Sequence, residues 1–440
     1  MPVAVHRLSV VPMAKAVAIA WLCVLGALIS TSHVRADDWP QWRGPTHNGI
    51  STAETLPLKW SATEGIAWKF KMPGPAGSTP VIAAGKLYAT SAEGDDLVLL
   101  CLDLKGTQLW KQKLGTGNRI SRGDEGNMAA PSPCTDGSHV WTFIGTGDLA
   151  CHDANGQLVW HRDLQKDYGK FDIQFGMTST PLLYQDRLYL QLIHGDGDAK
   201  TREAKVLCLD AKTGKEIWKQ ERPSEAHSEN EHSYASPTLF THDGTTFLLT
   251  HGADYAIAHR LDTGEEVWRT GDLHPPSRYD PTLRLVSSPV FNEGLIIVPS
   301  AKRGKLLALR PGGKGDITKA TEFRLWTHDR TPDVPSPLVK DGLVYLCRED
   351  GILICLDAKT GEKLYEQRTQ PDRHRASPVY GAGHVYVTAR NGTTTVVKAG
   401  RTFELVSSNS LGESTAASPA IANGMIFIRT FDTLYAIDGK

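Results

Sequence analysis

The feature that most constrains this chain is a unit it repeats. Residues 336–365, SPLVKDGLVYLCREDGILICLDAKTGEKLY, hold four short apolar runs separated by turns. Asp341-Gly342, Glu349-Asp350-Gly351 and the five residues Asp357-Ala358-Lys359-Thr360-Gly361 punctuate them. Aliphatic and β-branched runs bounded by Gly and Asp turns are the hairpin pattern, and nothing in the stretch has helical spacing. The unit therefore reads as four antiparallel strands.

Its opening dipeptide recurs. Thr79-Pro80, Ser132-Pro133, Thr180-Pro181, Ser236-Pro237, Ser288-Pro289, Ser336-Pro337, Ser377-Pro378 and Ser418-Pro419 are eight anchors at intervals of 41 to 56 residues. Four strands per copy at this period predict an all-β fold, an eight-bladed β-propeller of four-stranded antiparallel blades. Proline is tolerated at the first residue of a strand, where no ladder hydrogen bond is owed.

The second half of the unit carries an aromatic after the Asp- and Gly-containing turn. The series is Trp110, Trp160, Trp218, Trp268, Trp326, Tyr365 and Phe403, with Trp68 standing alone before the first anchor. In the fifth unit an insertion, residues 311–322, separates the third strand from Trp326. One large flat side chain per unit buries a wide area against the neighbouring unit, and a turn carbonyl there can accept an indole N–H. These residues are expected to be inter-blade wedges.

The eighth unit ends at Lys440, before any fourth strand, while residues 65–71 (GIAWKFK) have the form of a fourth strand without its first three. The economical expectation is ring closure, with residues 65–71 completing the last blade and leaving no open sheet edge at the seam. The domain reading is a signal peptide over 1–36, an N-terminal extension over 37–64 and one propeller over 65–440.

The signal peptide rests on Arg7 and Lys15, an apolar run over 16–29, and the small residues of Val34-Arg35-Ala36. The run is short of the roughly 20 residues a spanning helix needs. The expectation is an exported protein, periplasmic or extracellular after cleavage near Ala36, with no integral membrane segment in the mature chain. Removing 1–36 takes away three basic residues and no acid, so 48 against 49 becomes 45 against 49, a net charge of −4. Such a balance supplies no attraction for nucleic acid. Of six remaining cysteines, Cys101, Cys151, Cys208 and Cys355 recur at one position of the repeat and read as buried hydrophobes.

The turn pattern Ala-x-Thr-Gly-x-x-x-Trp, as in Ala211-Lys212-Thr213-Gly214…Trp218, resembles the tryptophan-docking motif of the eight-bladed pyrroloquinoline quinone (PQQ) dehydrogenases. It is equally similar to that of the propeller lipoprotein of the outer-membrane assembly machinery. The opening Asp38-Trp39-Pro40-Gln41-Trp42-Arg43-Gly44-Pro45 and the stretch 392–400 resemble secreted PQQ-like propellers of the planctomycete type. The likeness spans residues 38–440. It implies architecture, and a shared fold does not carry an activity.

In a four-stranded blade the turn between strands two and three and the link to the next blade share one face. The long segments 115–131, 164–179, 194–202, 222–235 and 271–287 mostly have that address, and long loops on a rigid scaffold are where binding concentrates. The funnel candidates there are Arg119, Arg122, Asn127, Gln174, His232, Arg284, Arg373, His374 and Arg375. Several positive donors would suit an anionic ligand. Asp196-Gly197-Asp198 lacks the remaining ligands of a calcium loop, and the histidines have no metal-binding spacing.

Two functions follow. One is a non-enzymatic exported platform that binds a protein, peptide or polysaccharide and needs no cofactor. The other, implied by the resemblance, is a quinoprotein oxidoreductase with PQQ and Ca2+ in the funnel, acting on an alcohol or sugar. Those dehydrogenases typically carry an adjacent Cys-Cys pair and Glu, Asn and Asp metal ligands. This chain has no Cys-Cys, and the ligand set has no position-by-position match. The expectation is the platform, with no catalytic or metal residues assigned.

Overall fold

The computed structural model describes residues 1–4, 37–121, 126–195, 203–274, 280 and 282–440. The expected signal peptide and the Asp196-Gly197-Asp198 turn lie outside them. Eight antiparallel sheets follow one another, over residues 81–116, 134–163, 182–221, 238–270, 290–328, 338–368, 379–410 and 420–437. These are blades 1 to 8, and the expected eight-bladed propeller is the fold. The inner strands are short, and several are fully buried, as in Val81–Ala83 and Ala420–Ala422.

Ring closure is as expected. Ile66–Lys71 pairs antiparallel with Thr433–Ile437, from Ile66 opposite Ile437 to Lys71 opposite Thr433, and becomes the outer strand of blade 8. Across the seam, the buried Arg429 guanidinium donates to Ser78 Oγ (2.8 Å), Thr90 O (2.7 Å), Gly74 O (3.1 Å) and Ser91 Oγ (3.2 Å). One side chain of blade 8 thus gathers four acceptors of blade 1 and the segment leading into it.

The Ser/Thr-Pro anchors do more than open strands. Residues before proline are forced extended, and proline itself has no N–H. The last backbone donor of each link is therefore that of the Ser or Thr, and at six of the eight anchors it donates to the neighbouring blade. Thr79 N–H donates to Ser132 Oγ (2.9 Å), and Thr180 N–H to Ser236 Oγ (3.0 Å). Ser236, Ser288, Ser336 and Ser377 N–H donate in turn to the Oγ of Ser288, Ser336, Ser377 and Ser418, at 2.8 to 3.0 Å. Thr79 Oγ1 donates to Ser418 O (3.2 Å) across the seam. The result is a belt around the axis at the loop-face ends of the inner strands.

At the rim the aromatics meet the next blade's turn. The indole N–H groups of Trp68, Trp110, Trp160, Trp218 and Trp326 donate to the carbonyls of Leu104, Ala154, Ala211, Leu261 and Ala358, at 2.8 to 3.1 Å. Each ring lies flat on a turn glycine. Gly214, at φ +68°, would place a methyl group 2.7 Å from the Trp160 ring, so both the conformation and the close approach require glycine. Tyr365 packs instead against Phe403, with ring centroids 5.7 Å apart. Trp268, 1% exposed, packs against Phe240 with the ring planes tilted by 46°.

Blade 4 departs from the four-strand plan. The insertion 311–322 of the fifth unit sends Gly315–Asp316 back along the outer strand of blade 4, pairing parallel with Trp268 and Arg269. It takes the place that a short turn occupies in the other units. The six described cysteines are free and buried, and burial pushes Cys101, Cys151 and Cys355 up to about 12 and Cys208 to about 11.

Two measurements test this architecture. Deleting residues 37–71 strips the outer strand from blade 8, so the melting temperature should fall sharply or the protein should aggregate through the opened edge; unchanged melting would refute the closure. Trp218→Ala and Trp268→Ala should each cost about 3–5 kcal/mol in chemical denaturation, and near-zero cost at both would remove the wedge role.

Candidate functional site: a funnel closed by the N-terminal segment

The stretch after Asp37 crosses the axis on the face opposite the long loops. Trp39 exchanges two backbone hydrogen bonds with Ile82 of blade 1 (2.8 Å each), and Pro40 O accepts from Thr135 N–H of blade 2 (2.8 Å). Gln41 uses both ends of its amide on the backbone of Leu183 in blade 3 (3.3 and 3.1 Å). Beyond the axis, the buried Arg43 donates to Pro378 O (3.1 Å), Asn48 O (2.8 Å) and Pro337 O, tying blades 6 and 7. Burial pushes Arg43 down to about 9 and His47 down to about 4, so His47 is neutral at neutral pH. The chain then pairs with Tyr380 of blade 7 before reaching the outer edge of blade 8.

Trp42, between these anchors, is half-buried and fills the centre of the channel. Behind it, among Gln41, Arg43, His47 and the inner strands, a cavity of about 10 Å³ remains, room for at most one water. In front of it lies a cavity of about 470 Å³, open toward the long loops. The channel is thus a funnel with one mouth.

The belt residues Ser132, Thr180, Ser236, Ser288, Ser336, Ser377 and Ser418 surround Trp42 at the funnel floor. Higher up, Phe175, Tyr234, Leu283, Val286 and Val334 supply the apolar wall. The charged groups are Arg284, Lys302, Asp333, Glu349, Arg373 and Arg375. Lys302 Nζ stands 3.0 Å from Glu349 and 3.5 Å from Asp333, between two carboxylates. Burial opposes its charge, but the two carboxylates outweigh burial and hold it above the usual lysine value. Arg284 pairs with Glu229 at 2.7 Å and lies 4.4 Å over the Phe175 ring.

Asp333 is the perturbed acid of the site. Burial pushes its carboxyl above the ordinary value and Glu349 adds to that, while Lys302, Arg375 and Arg284 pull it back. Because ionisation is harder in the fold than in the open chain, Asp333 favours the folded state most at low pH. That contribution is lost as pH climbs from the ordinary carboxylate value through its raised one.

Of the residues singled out from the sequence, Arg284, Arg373 and Arg375 come together in the funnel. Arg119 is exposed outside it, and Arg122 lies outside the described residues. Asn127 is buried in its loop, bonded to Pro75 O (2.7 Å) and Ala129 N–H (3.0 Å). Gln174 is exposed, with its amide nitrogen facing the Glu229 carboxylate. His232 and His374 are buried, and burial lowers both; His374 Nδ1 is 2.9 Å from Asp372 O, a loop contact. Lys302, Asp333 and Glu349 were missed. Asp333 has the same pre-strand address as Arg284 but is an acid among candidates that were mainly positive donors; Lys302 and Glu349 sit in short turns between strands two and three, which share the face.

A family profile of PQQ-type repeats, described as outer membrane protein assembly factor BamB, matches residues 51–190, 145–316 and 349–440. The chain belongs to this family. It is 21% identical over 338 residues to a polyvinylalcohol dehydrogenase of a Pseudomonas species, covering 64% of this chain and 50% of that one. It is 22% identical over 260 residues to the outer membrane protein assembly factor BamB of Yersinia pestis, covering 58% and 57%. The chain thus spans about half the length of these curated relatives. The crystal structure of a quinohemoprotein alcohol dehydrogenase from Comamonas testosteroni superposes with a TM-score of 0.66 at 14% identity, covering 95% of this chain and 83% of that one. That likeness is one of fold. Proteins similar to this chain therefore include both enzymes and an assembly factor. No helix among the described residues is long and apolar enough to cross a membrane.

The Lys302 contact has a readable consequence. In Lys302→Ala the Asp333 carboxyl should titrate higher than in the wild type, because the ammonium that opposed burial has gone and Glu349 repulsion remains. Carbon-detected NMR of labelled aspartate reads the midpoint; an unchanged value would mean that Lys302 does not engage Asp333.

Proposed function

We propose that this protein is an exported, non-enzymatic propeller platform that binds a protein, peptide or polysaccharide through its long-loop face, with the funnel at the centre of that face. The observation that carries the reading is the Lys302 ammonium between Asp333 and Glu349. A divalent cation such as Ca2+ takes six to eight oxygen ligands, carboxylates among them. The funnel's two lining carboxylates are already committed to a lysine that stands where such an ion would have to sit. Among the described residues no group of three or more His, Cys, Asp or Glu is placed to hold a metal. The described residues of the funnel therefore do not fit a PQQ–Ca2+ pair, and no oxidation step is derived through one.

Two further observations agree. The sequence lacks the adjacent cysteines of the quinoprotein dehydrogenases, and all six described cysteines are buried and free. The resemblance to a protein named for outer-membrane assembly, together with the N-terminal composition, supports export to the periplasm or beyond.

The quinoprotein reading has one observation in its favour. A partly desolvated carboxyl, Asp333, opens on a cavity of about 470 Å³, and the dehydrogenase relatives are named for alcohols. Titrating the protein with PQQ, with and without Ca2+, separates the two. A cofactor site must stabilise the fold by mass action, about 2.7 kcal/mol at a hundredfold excess over Kd. The expected result is no Ca2+-dependent rise in melting temperature and no dye reduction with alcohols or aldoses. A saturable, Ca2+-dependent shift with turnover, lost in Arg373→Ala or Arg375→Ala, would overturn the platform.

A further inference from the structure

We infer that the funnel is a saccharide site, with Trp42 as its stacking floor, and that it takes the neutral end of a glycan. The inference rests on the platform reading and names the ligand class for it.

The first observation is the floor itself. Trp42 is the half-buried member of a segment whose other residues are pinned: Gln41 to blade 3 on one side, and Arg43 to blades 6 and 7 on the other. An aromatic ring held rigidly at the bottom of a concave site, with Phe175 and Tyr234 on the wall, leaves apolar faces for a ligand to cover. The C–H face of a pyranose presents positively polarised hydrogens to the negative face of such a ring.

The second observation is the hydroxyl belt. Ser132, Ser288, Ser336, Ser377 and Ser418 each accept a backbone N–H through Oγ, and none of these hydroxyls donates to a described residue. Their protons are left for a ligand or for water. A sugar ring, whose hydroxyls both donate and accept, answers a ring of donors around an aromatic floor.

The third is charge. Lys302 pairs with Asp333 and Glu349, and Arg284 with Glu229. At Lys302 and Arg284 an anionic ligand would have to displace a carboxylate already in place. A vicinal diol needs no displacement, since one hydroxyl can donate to a carboxylate while its neighbour accepts from the adjoining ammonium or guanidinium. A wholly apolar ligand would leave the belt donors and ion pairs dry and unpaired. The cavity of about 470 Å³ is of small-molecule size. It suits the end of a glycan, with the rest of the chain passing out over the loops.

The test is isothermal titration of the full chain with neutral trisaccharides of glucose, N-acetylglucosamine, mannose and galactose, with sulfate and glucuronate as anionic controls. At least one neutral trisaccharide should bind. Trp42→Ala should weaken it by about tenfold or more, and Trp42→Phe by about threefold or less. Val334→Trp, which narrows the mouth without touching the floor, should abolish it and decides the matter if Trp42→Ala fails to fold. Binding of the anions alone, no binding by any neutral trisaccharide, or full affinity in Trp42→Ala or Val334→Trp would overturn the saccharide site. Those results would leave the platform standing with another ligand, whereas Ca2+-dependent turnover with PQQ would remove the platform itself.

Discussion

The structure depends on what happens to one backbone N–H per blade. A proline at the head of each inner strand removes a donor and forces the residue before it to be extended, so that residue's own N–H faces the next blade. A serine hydroxyl waits there at six junctions, and at the seam a threonine hydroxyl reaches back instead. Each such bond is worth about 0.5–1.5 kcal/mol net. Their larger effect is geometric, because they hold the inner strands at one spacing and so set the bore of the channel. Everything placed in that bore, Trp42 included, inherits its position from the belt.

The rim is organised by a different contact. There an indole spans from one blade to the turn of the next, giving area to a glycine and a hydrogen to a carbonyl. Where the fifth unit replaces its turn by an insertion, the outer edge of blade 4 is covered by a short parallel strand. Ring closure joins both levels, with Arg429 stitching the seam inside and Ile66–Lys71 completing the sheet outside.

The same N-terminal segment settles the character of the central site. By plugging the narrow end it turns a through-channel into a funnel, and its anchors on blades 1, 2, 3, 6 and 7 leave Trp42 little freedom. The ion pairs of the wall bear on which ligands the proposed site would take. Read singly, Arg284, Arg373 and Arg375 suggest an anion trap. With Lys302 lodged between Asp333 and Glu349 and Arg284 bound to Glu229, two of the wall's cations already face carboxylates.

The amino-acid sequence by itself determined the architecture. Strand alternation, Asp-Gly and Thr-Gly turns and the Ser/Thr-Pro anchors are local signals, each read within a few residues, and eightfold repetition made them additive. The missing fourth strand after Ile437 and the unattached strand at Ile66 even located the seam. Arg284, Arg373 and Arg375, singled out from the sequence, line the funnel, because the pre-strand address is a property of blade topology. Only the tertiary structure decided that Trp42 enters the channel, that the anchor serines bond to one another, and that Lys302 stands between Asp333 and Glu349. Those facts join residues tens to hundreds of positions apart, such as Arg43 with Pro378, and depend on the ring having closed. His374, beside Arg373 and Arg375 in the sequence, faces away and is buried, since side chains one residue apart need not share a surface.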